Sequence, residues 1–224
     1  MKRTPLAQRK LPDYTRGEEI TNMVTHIVGG ALGILALVLC PIVSARHHSG
    51  YAIAGGLVFA LFMLTLYAIS SIYHGLSPKL FSKRVMQVLD HCSIFALIAG
   101  TYTPICLCLL RAEDPTLGWT LFGIVWALAA VGIALNAIDL KKYDRFSQVC
   151  YLLMGWCVIF RIGTVRRALG EAGFALLLAG GIAYTIGAGL YALGRKRRYA
   201  HSAFHVFVVI GSLLHFLCIL LYVL

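Results

Sequence analysis

The sequence predicts an all-α membrane protein, built as a polytopic bundle of seven transmembrane helices. Of its 224 residues, 59% are hydrophobic and only 13% are charged, and the mean hydropathy is +0.81. A soluble domain would be about one-quarter charged. Apolar runs of about twenty residues recur along the chain, which is the length needed to cross a bilayer. Because backbone polar groups in lipid must be satisfied within each segment, these runs are predicted to be helices.

Seven apolar runs define the predicted spans. They cover residues 23–44, 52–74, 87–110, 116–138, 146–165, 172–193 and 202–223. The polar gaps between them are too short for a second soluble domain. Residues 1–22 are therefore predicted as a cytoplasmic segment and residues 23–224 as one transmembrane domain. The first run is interpreted as a helix rather than a signal peptide, because no small-residue cleavage pattern follows it.

Small residues mark the predicted packing faces of two spans. Gly29 and Gly33 form a G-x-x-x-G pattern in the first run, and Ala179, Ala183 and Gly187 repeat at intervals of four in the sixth. Such stripes allow helix backbones to approach closely in a membrane. The seven cysteines lie in or beside apolar runs and are predicted to be small buried residues without disulfides.

The distribution of Lys and Arg predicts the orientation in the membrane. Fifteen of them lie in the N-terminal segment and the gaps on its side, against five on the opposite side. The excess places the N-terminus in the cytoplasm and the C-terminus outside. The formal net charge of +11 therefore reports topology and contact with anionic head groups, and no basic-aromatic pattern typical of nucleic-acid binding occurs.

With this orientation, ionisable residues from three spans lie in the same leaflet. His74 ends the second run, Asp90 lies in the first turns of the third, and His201 and His205 begin the seventh. The last two are spaced i, i+4 and therefore share one helical face, an arrangement that zinc enzymes use for two ligands.

Three histidines and a carboxylate favour a metal site. His74 would complete a set of three nitrogen ligands, and Asp90 could hold a water in the fourth position or bind directly. Ser70 lies one turn before His74 and offers a hydroxyl to the same pocket. Three protein ligands with a water is the coordination of a catalytic zinc ion. A single intramembrane histidine is more often an interhelical hydrogen-bond partner, so the prediction depends on the convergence.

The remaining histidines have simpler predicted roles. His215 lies about 15 Å of helix beyond the predicted ligands and is predicted to form an interhelical hydrogen bond. His47 and His48 are assigned to a solvated exterior loop. His91 is predicted to point away from the helix face of Asp90, either supporting the site from behind or taking no part.

Further polar residues are predicted on the cytoplasmic side. Glu18, Asn22 and His26 share one face of the first helix, and Asn136 and Asp139 end the fourth. Helix capping and interface anchoring explain them, and so does a supporting role behind metal ligands. Both interpretations stay open at this point.

Five motifs, in order along nearly the whole chain, resemble those of the hemolysin III family. This is the bacterial branch of the progestin and adipoQ receptor superfamily, which is related to the alkaline ceramidases. The motifs are "EEITNMVTHIVGG" at 18–30, "SSIYH" at 70–74, "LDHCSIFALIAGTYTP" at 89–104, "MGW" at 154–156 and "HSAFHVFVVIGSLLHF" at 201–216.

The resemblance implies a seven-helix bundle in the bacterial cytoplasmic membrane, with zinc near the cytoplasmic face. It assigns His74, His201 and His205 as zinc ligands, Asp90 as the residue that holds the zinc-bound water, and Ser70 as the motif serine. The implied partners are membrane lipids, and the favoured chemistry is zinc-dependent hydrolysis of a lipid amide. A cytolytic pore-forming protein, or a lipid-homeostasis receptor with structural zinc, are the alternatives.

Overall fold

The computed structural model describes residues 4–46, 49–194 and 197–224, and every regular element in these ranges is helical. The predicted all-α fold is therefore confirmed, while His47 and His48 lie outside the described residues. The elements are α1 (Arg16–Arg46), α2 (Gly50–Gly75), α3 (Phe81–Pro104), a π-helical continuation (Ile105–Leu110), the single turn α4 (Arg111–Glu113), α5 (Pro115–Trp156), α6 (Ile162–Gly194) and α7 (Ala200–Tyr222), with 3₁₀ turns at Leu6–Gln8 and Cys157–Arg161.

Within the described ranges, five helical stretches are long and apolar enough to cross a membrane: Arg16–Arg46, Gly50–Gly75, Phe81–Glu113, Pro115–Gly194 and Ala200–Tyr222. Large apolar side chains also cover the outside of the bundle, with Leu153 68% and Phe160 85% exposed. Together with the length of these helices, an exposed apolar surface of this extent is typical of a protein that faces lipid. The chain is a multi-pass integral membrane protein.

Helix α5 is interrupted where a loop was predicted. Asp139 has extended backbone angles (φ −157°, ψ 91°) and helix resumes directly after it. Its carboxylate accepts from the backbone N–H of Lys142 at 3.3 Å, as a helix cap does, and from that of Thr4 at 3.0 Å. The bond from Lys142 caps the helix that resumes after the break, so the helix is interrupted at one residue rather than by a loop. In α6 a second break falls at Gly170 (φ +66°), in the predicted gap after the fifth span.

The first helix begins at Arg16, before the predicted start of the span. Thr15 and Glu18 form a capping box: the Thr15 hydroxyl accepts from the Glu18 N–H at 3.2 Å, and the Glu18 carboxylate accepts from the Thr15 N–H at 2.9 Å. The cap lets a polar turn join the apolar helix, so hydropathy alone places the boundary too late.

Helix α3 lies at the centre of the bundle. In the stretch Phe81–Glu113, which contains it, 78% of the 18 most apolar consecutive residues are buried, against 22–44% in the other candidate spans. It separates two apolar clusters, one formed with α1, α2 and α7 and the other with α5, α6 and α7. Across α2, α6 and α7, the Ser212 hydroxyl is within 2.7 Å of the Tyr67 hydroxyl and 2.6 Å of the Tyr184 hydroxyl. Buried polar groups are satisfied here by one another.

The predicted packing face of α1 is confirmed, because a Cβ at Gly33 would lie 2.8 Å from the Cα of Leu64 on α2. The predicted face of α6 is wrong at one position: Ala179 is exposed, while Gly180 is buried against α7. Steps of four residues drift by about 40° per step around a helix of 3.6 residues per turn. The stripe from Gly187 therefore continues to Gly180, seven residues back. All seven cysteines are free; the predicted burial is confirmed for four of them, and the other three are partly exposed.

Candidate metal centre

The structure brings the three predicted zinc ligands together. One ring nitrogen from each of His74, His201 and His205 lies within 4.8 Å of the other two, and all three side chains are buried. The Nε2 atoms of His201 and His205 are 3.0 Å apart. Two nitrogens bound to tetrahedral zinc at 2.0–2.1 Å would lie about 3.3 Å apart. In this cluster, which we call the histidine centre, the His201–His205 spacing is therefore close to that of a zinc site.

Glu19 fixes the ring of His74 from behind. Its carboxylate accepts from Nδ1 of His74 at 2.6 Å and from Nζ of Lys83 at 2.7 Å. Because Nδ1 donates, Nε2 of His74 carries the free lone pair, and it is buried with no hydrogen-bond partner among the described residues. A carboxylate behind a histidine is the usual support for a metal ligand. The donor set and this unpartnered nitrogen fit a zinc ion.

Two further side chains lie beside the histidine centre but are not among its clustered ligand atoms. His26 stacks on His205, with ring centroids 3.8 Å apart, so its nitrogens lie beside that ring. Asn22 lies with Nδ2 3.5 Å from Nδ1 of His74. Of the stripe predicted on α1, Asn22 and His26 thus lie beside the predicted ligands, whereas Glu18 caps the helix and accepts from the backbone of Tyr199 at 2.8 Å.

Asp90 and Ser70 lie in the wall of a cavity that adjoins the histidine centre. The cavity has a volume of about 140 Å³, and His205 also lines it. The Ser70 hydroxyl is buried and has no hydrogen-bond partner in the described part of the chain. The Asp90 carboxylate is 3.8 Å from Nδ1 of His91 and is not one of the clustered ligand atoms. The roles predicted for Asp90 and Ser70 stay predictions.

His91 and His215 hold helices together. Nδ1 of His91 donates to the Gln87 carbonyl at 2.9 Å, and its Nε2 is 3.1 Å from the hydroxyl of Tyr191 on α6. Nε2 of His215 donates to the carbonyl of Leu177 on α6 at 3.1 Å. The interhelical hydrogen bond predicted for His215 is confirmed.

The N-terminal segment, residues 4–15, covers the histidine centre. The Tyr14 ring stacks on His201 with centroids 4.9 Å apart, and lies 5.8 Å from the His74 ring. Burial raises the pKa of Tyr14 well above its usual value, so the phenol is neutral. Tyr14, Glu19 and Lys83 were missed in the sequence. The only sequence signal for Glu19 was its place in the paired acids of the first motif.

The fold and this site define a class: multi-pass helical membrane proteins with a buried cluster of three histidines. The family model described as "Haemolysin-III related" matches residues 14–216. The chain belongs to this family, and the resemblance stated from its motifs is confirmed.

Similar proteins cover almost the same length. The chain is 40% identical to Hemolysin-3 of Bacillus cereus over 208 residues, which is 92% of each protein. It is 39% identical to the Hemolysin-3 homolog of Bacillus subtilis over 209 residues, 93% of this chain and 96% of the relative. The human monocyte to macrophage differentiation factor is 24% identical over 169 residues, covering 72% and 67% of the two chains.

Proposed function

We propose that this chain is a zinc-dependent hydrolase of acyl bonds in membrane lipids, a lipid amide being the first candidate substrate. The observation that carries this proposal is that His205 lies in two sites at once. It belongs to the histidine centre, and it also lines the apolar cavity that contains Asp90 and Ser70. A metal site that opens into an apolar cavity beside a carboxylate can bring a lipid carbonyl and a water together.

A seven-span topology with the N-terminus in the cytoplasm belongs to this proposal. The helical stretch Pro115–Gly194 has 80 residues, which would measure about 120 Å if straight. The hydrocarbon core is about 30 Å thick, so the stretch must turn back. On this proposal, the breaks at Asp139 and Gly170 would divide it into three spans, which would make seven in all. The excess of Lys and Arg on the N-terminal side supports the orientation, and the bacterial relatives support a cytoplasmic membrane.

The cavity residues have complementary roles in the proposed reaction. Zinc, when bound, supplies a Lewis acid that polarises the substrate carbonyl. Asp90 takes a proton from the attacking water and returns it to the leaving amine as the C–N bond breaks. The Ser70 hydroxyl donates to the oxygen on which negative charge develops. Apolar side chains of the wall, including Leu97 and Val208, hold the acyl chain away from water.

Metal content and turnover test the proposal together. The purified protein in lipid nanodiscs should contain about one zinc per chain by mass spectrometry and release fatty acid from an acyl-amide lipid. The variant His205→Ala should lose both. The matched control is His215→Ala, another buried histidine of α7, which should keep its zinc. Because His215 also lines the apolar cavity, it is a control for zinc content only. Equal zinc content in the two variants, or no fatty-acid release by the unmodified protein, would contradict the proposal.

A lipid sensor is the second candidate. The predicted ligands link the end of α2 to the start of α7, and the N-terminal segment packs on them. A zinc ion at this position would stabilise one arrangement of the helices. On this hypothesis, His205→Ala lowers the unfolding temperature. The unmodified protein hydrolyses neither acyl-amide nor acyl-ester lipids.

Cytolysis is suggested by the names of the bacillary relatives. A pore needs a polar path through both leaflets, and the histidine centre with its polar neighbours lies at one end of the bundle. Dye release from liposomes at matched protein insertion tests this function. Equal dye release from liposomes with and without the unmodified protein would reject a cytolytic function.

A further inference from the structure

A second, larger cavity lies against His201 and Tyr14, on the side of the N-terminal segment. Its volume is about 550 Å³, and we call it the vestibule. Its charged lining residues are Arg9, Lys10, Asp13, Glu18, Lys141, Asp144, Arg197 and Arg198. Because His201 lines the vestibule and also belongs to the histidine centre, a ligand in the vestibule would lie beside the proposed metal site.

The described lining of the vestibule carries a net positive charge, with five cationic side chains against three acidic ones. One acidic group is already used by the backbone: Glu18 accepts from the N–H groups of Thr15 and Tyr199. Another, Asp144, accepts from Tyr191 and Gln148, each at 3.2 Å. Glu18 also interacts electrostatically with Arg198. The excess of cationic over acidic side chains in the described lining favours anions in the cavity.

Arg9 is the strongest indication of a missing anion. The side chain is only 6% exposed, and its Nη2 donates to the Ile138 carbonyl at 3.0 Å. Its Nη1 is buried and has no hydrogen-bond partner among the described residues. The Asp139 carboxylate interacts electrostatically with this guanidinium but leaves Nη1 without an acceptor, which a phosphate oxygen would supply. Lys10 and Arg197 also have side chains that take part in no described hydrogen bond or ion pair.

We propose that the vestibule binds the phosphate group of a lipid headgroup. The phosphate would lie against Arg9, Lys10 and Arg197, the acyl bond next to the histidine centre, and the acyl chain in the apolar cavity beyond His205. The substrate class is then a phosphate-bearing lipid, rather than one with a neutral headgroup. This assignment of substrate rests on the proposed hydrolase function, whereas phosphate binding itself can be measured without turnover.

Binding to the full-length protein in neutral detergent tests this site. The probes are dihexanoyl phosphatidate, the neutral dihexanoylglycerol and inorganic phosphate, each measured by calorimetry on zinc-loaded and on chelator-stripped protein. Stripping removes any phosphate bound directly to zinc, so that only the vestibule can account for a preference. We expect phosphatidate to bind at least about tenfold more tightly than dihexanoylglycerol in both forms, and less tightly as salt is raised.

The double variant Lys10→Gln/Arg197→Gln should weaken phosphatidate binding about fivefold or more. Each of the two exposed cations is expected to contribute up to severalfold to the affinity. Its binding of dihexanoylglycerol should be unchanged. Lys79→Gln removes an exposed lysine from the same predicted side of the membrane but outside the vestibule, and should bind as the unmodified protein does. Arg9→Gln should have the largest effect, with the double variant providing the test if Arg9→Gln does not fold.

Two results would overturn the proposal. One is equal affinity for the two lipids, or a preference for phosphatidate that the double variant keeps. The other is a vestibule that binds inorganic phosphate but does not favour phosphatidate over dihexanoylglycerol, which would make the ligand a free anion. Failure of the hydrolase proposal alone looks different, because stripped protein would keep its phosphatidate preference while no lipid is cleaved.

Discussion

Replacing Glu19 with glutamine tests whether a carboxylate behind His74 sets the metal affinity of the histidine centre. Its two oxygens accept from Nδ1 of His74 at 2.6 Å and from Nζ of Lys83 at 2.7 Å. Glutamine keeps the size and removes the charge. Only one of its two terminal atoms can accept, so its amide nitrogen must face one of these donors.

Two separate losses follow from this change. Loss of such a supporting carboxylate lowers metal affinity by about 10- to 100-fold, or about 1.4–2.7 kcal/mol. Breaking a buried ion pair costs about 3–5 kcal/mol of stability. The Glu19 side chain is 15% exposed, and Lys83 keeps its bond to the Leu76 carbonyl at 2.9 Å. We therefore expect the lower end of that range, about 3 kcal/mol.

Zinc competition against a chromophoric chelator gives the first quantity, and denaturant unfolding in detergent gives the second. Adding Lys83→Met to Glu19→Gln should recover part of the stability, because the unpaired ammonium is removed, and should leave the metal affinity low. If folded Glu19→Gln binds zinc within a factor of two of the unmodified protein, the carboxylate does not support a metal ligand.

Three other substitutions test the cavity and two glycine positions of α6. Asp90→Asn should leave zinc content unchanged and reduce lipid hydrolysis by about 10²- to 10⁴-fold; an unaltered rate would remove Asp90 from the mechanism. Gly170→Ala should lower stability by about 1–3 kcal/mol in thermal unfolding, because φ +66° with ψ 176° is a region for glycine; no change would mean that the break relaxes. Gly180→Ala should cost about 1–3 kcal/mol, because its Cβ would overlap the His215 ring, and His215→Ala should relieve part of this loss. Strictly additive effects in the double variant would argue against the contact.

The convergence of His74, His201 and His205 was predictable because it depends on local information. Helical spacing aligns the last two, and alternation of direction across the membrane brings the end of α2 to the level of the start of α7. Glu19 was missed for the opposite reason. It reaches His74 on α2 and Lys83 on α3, and that depends on how α1 crosses both helices, which no periodicity in one segment encodes.

The breaks in the long helical stretch were predicted as loops because hydropathy falls there. A fall in hydropathy does not distinguish a loop from a capped interruption. At Asp139 the difference is decided by a side chain that accepts from Lys142 and by Thr4, which is 135 residues away in sequence. Local chemistry could suggest the first contact, whereas the second exists only in the folded chain.

The second contact also explains how the N-terminal segment relates to the histidine centre. A break near the membrane leaves backbone groups that lipid cannot satisfy. Arg9 supplies one such bond, to the Ile138 carbonyl at 3.0 Å, and the Thr4 N–H donates to the Asp139 carboxylate at 3.0 Å. The same segment then packs Tyr14 on His201. The same stretch of chain therefore contacts both the break and the histidine centre, and His201 lines the vestibule together with Lys10 and Arg197. If both proposals hold, a lipid would meet the proposed metal site between two different surroundings, an apolar one for its chain and a cationic one for its headgroup.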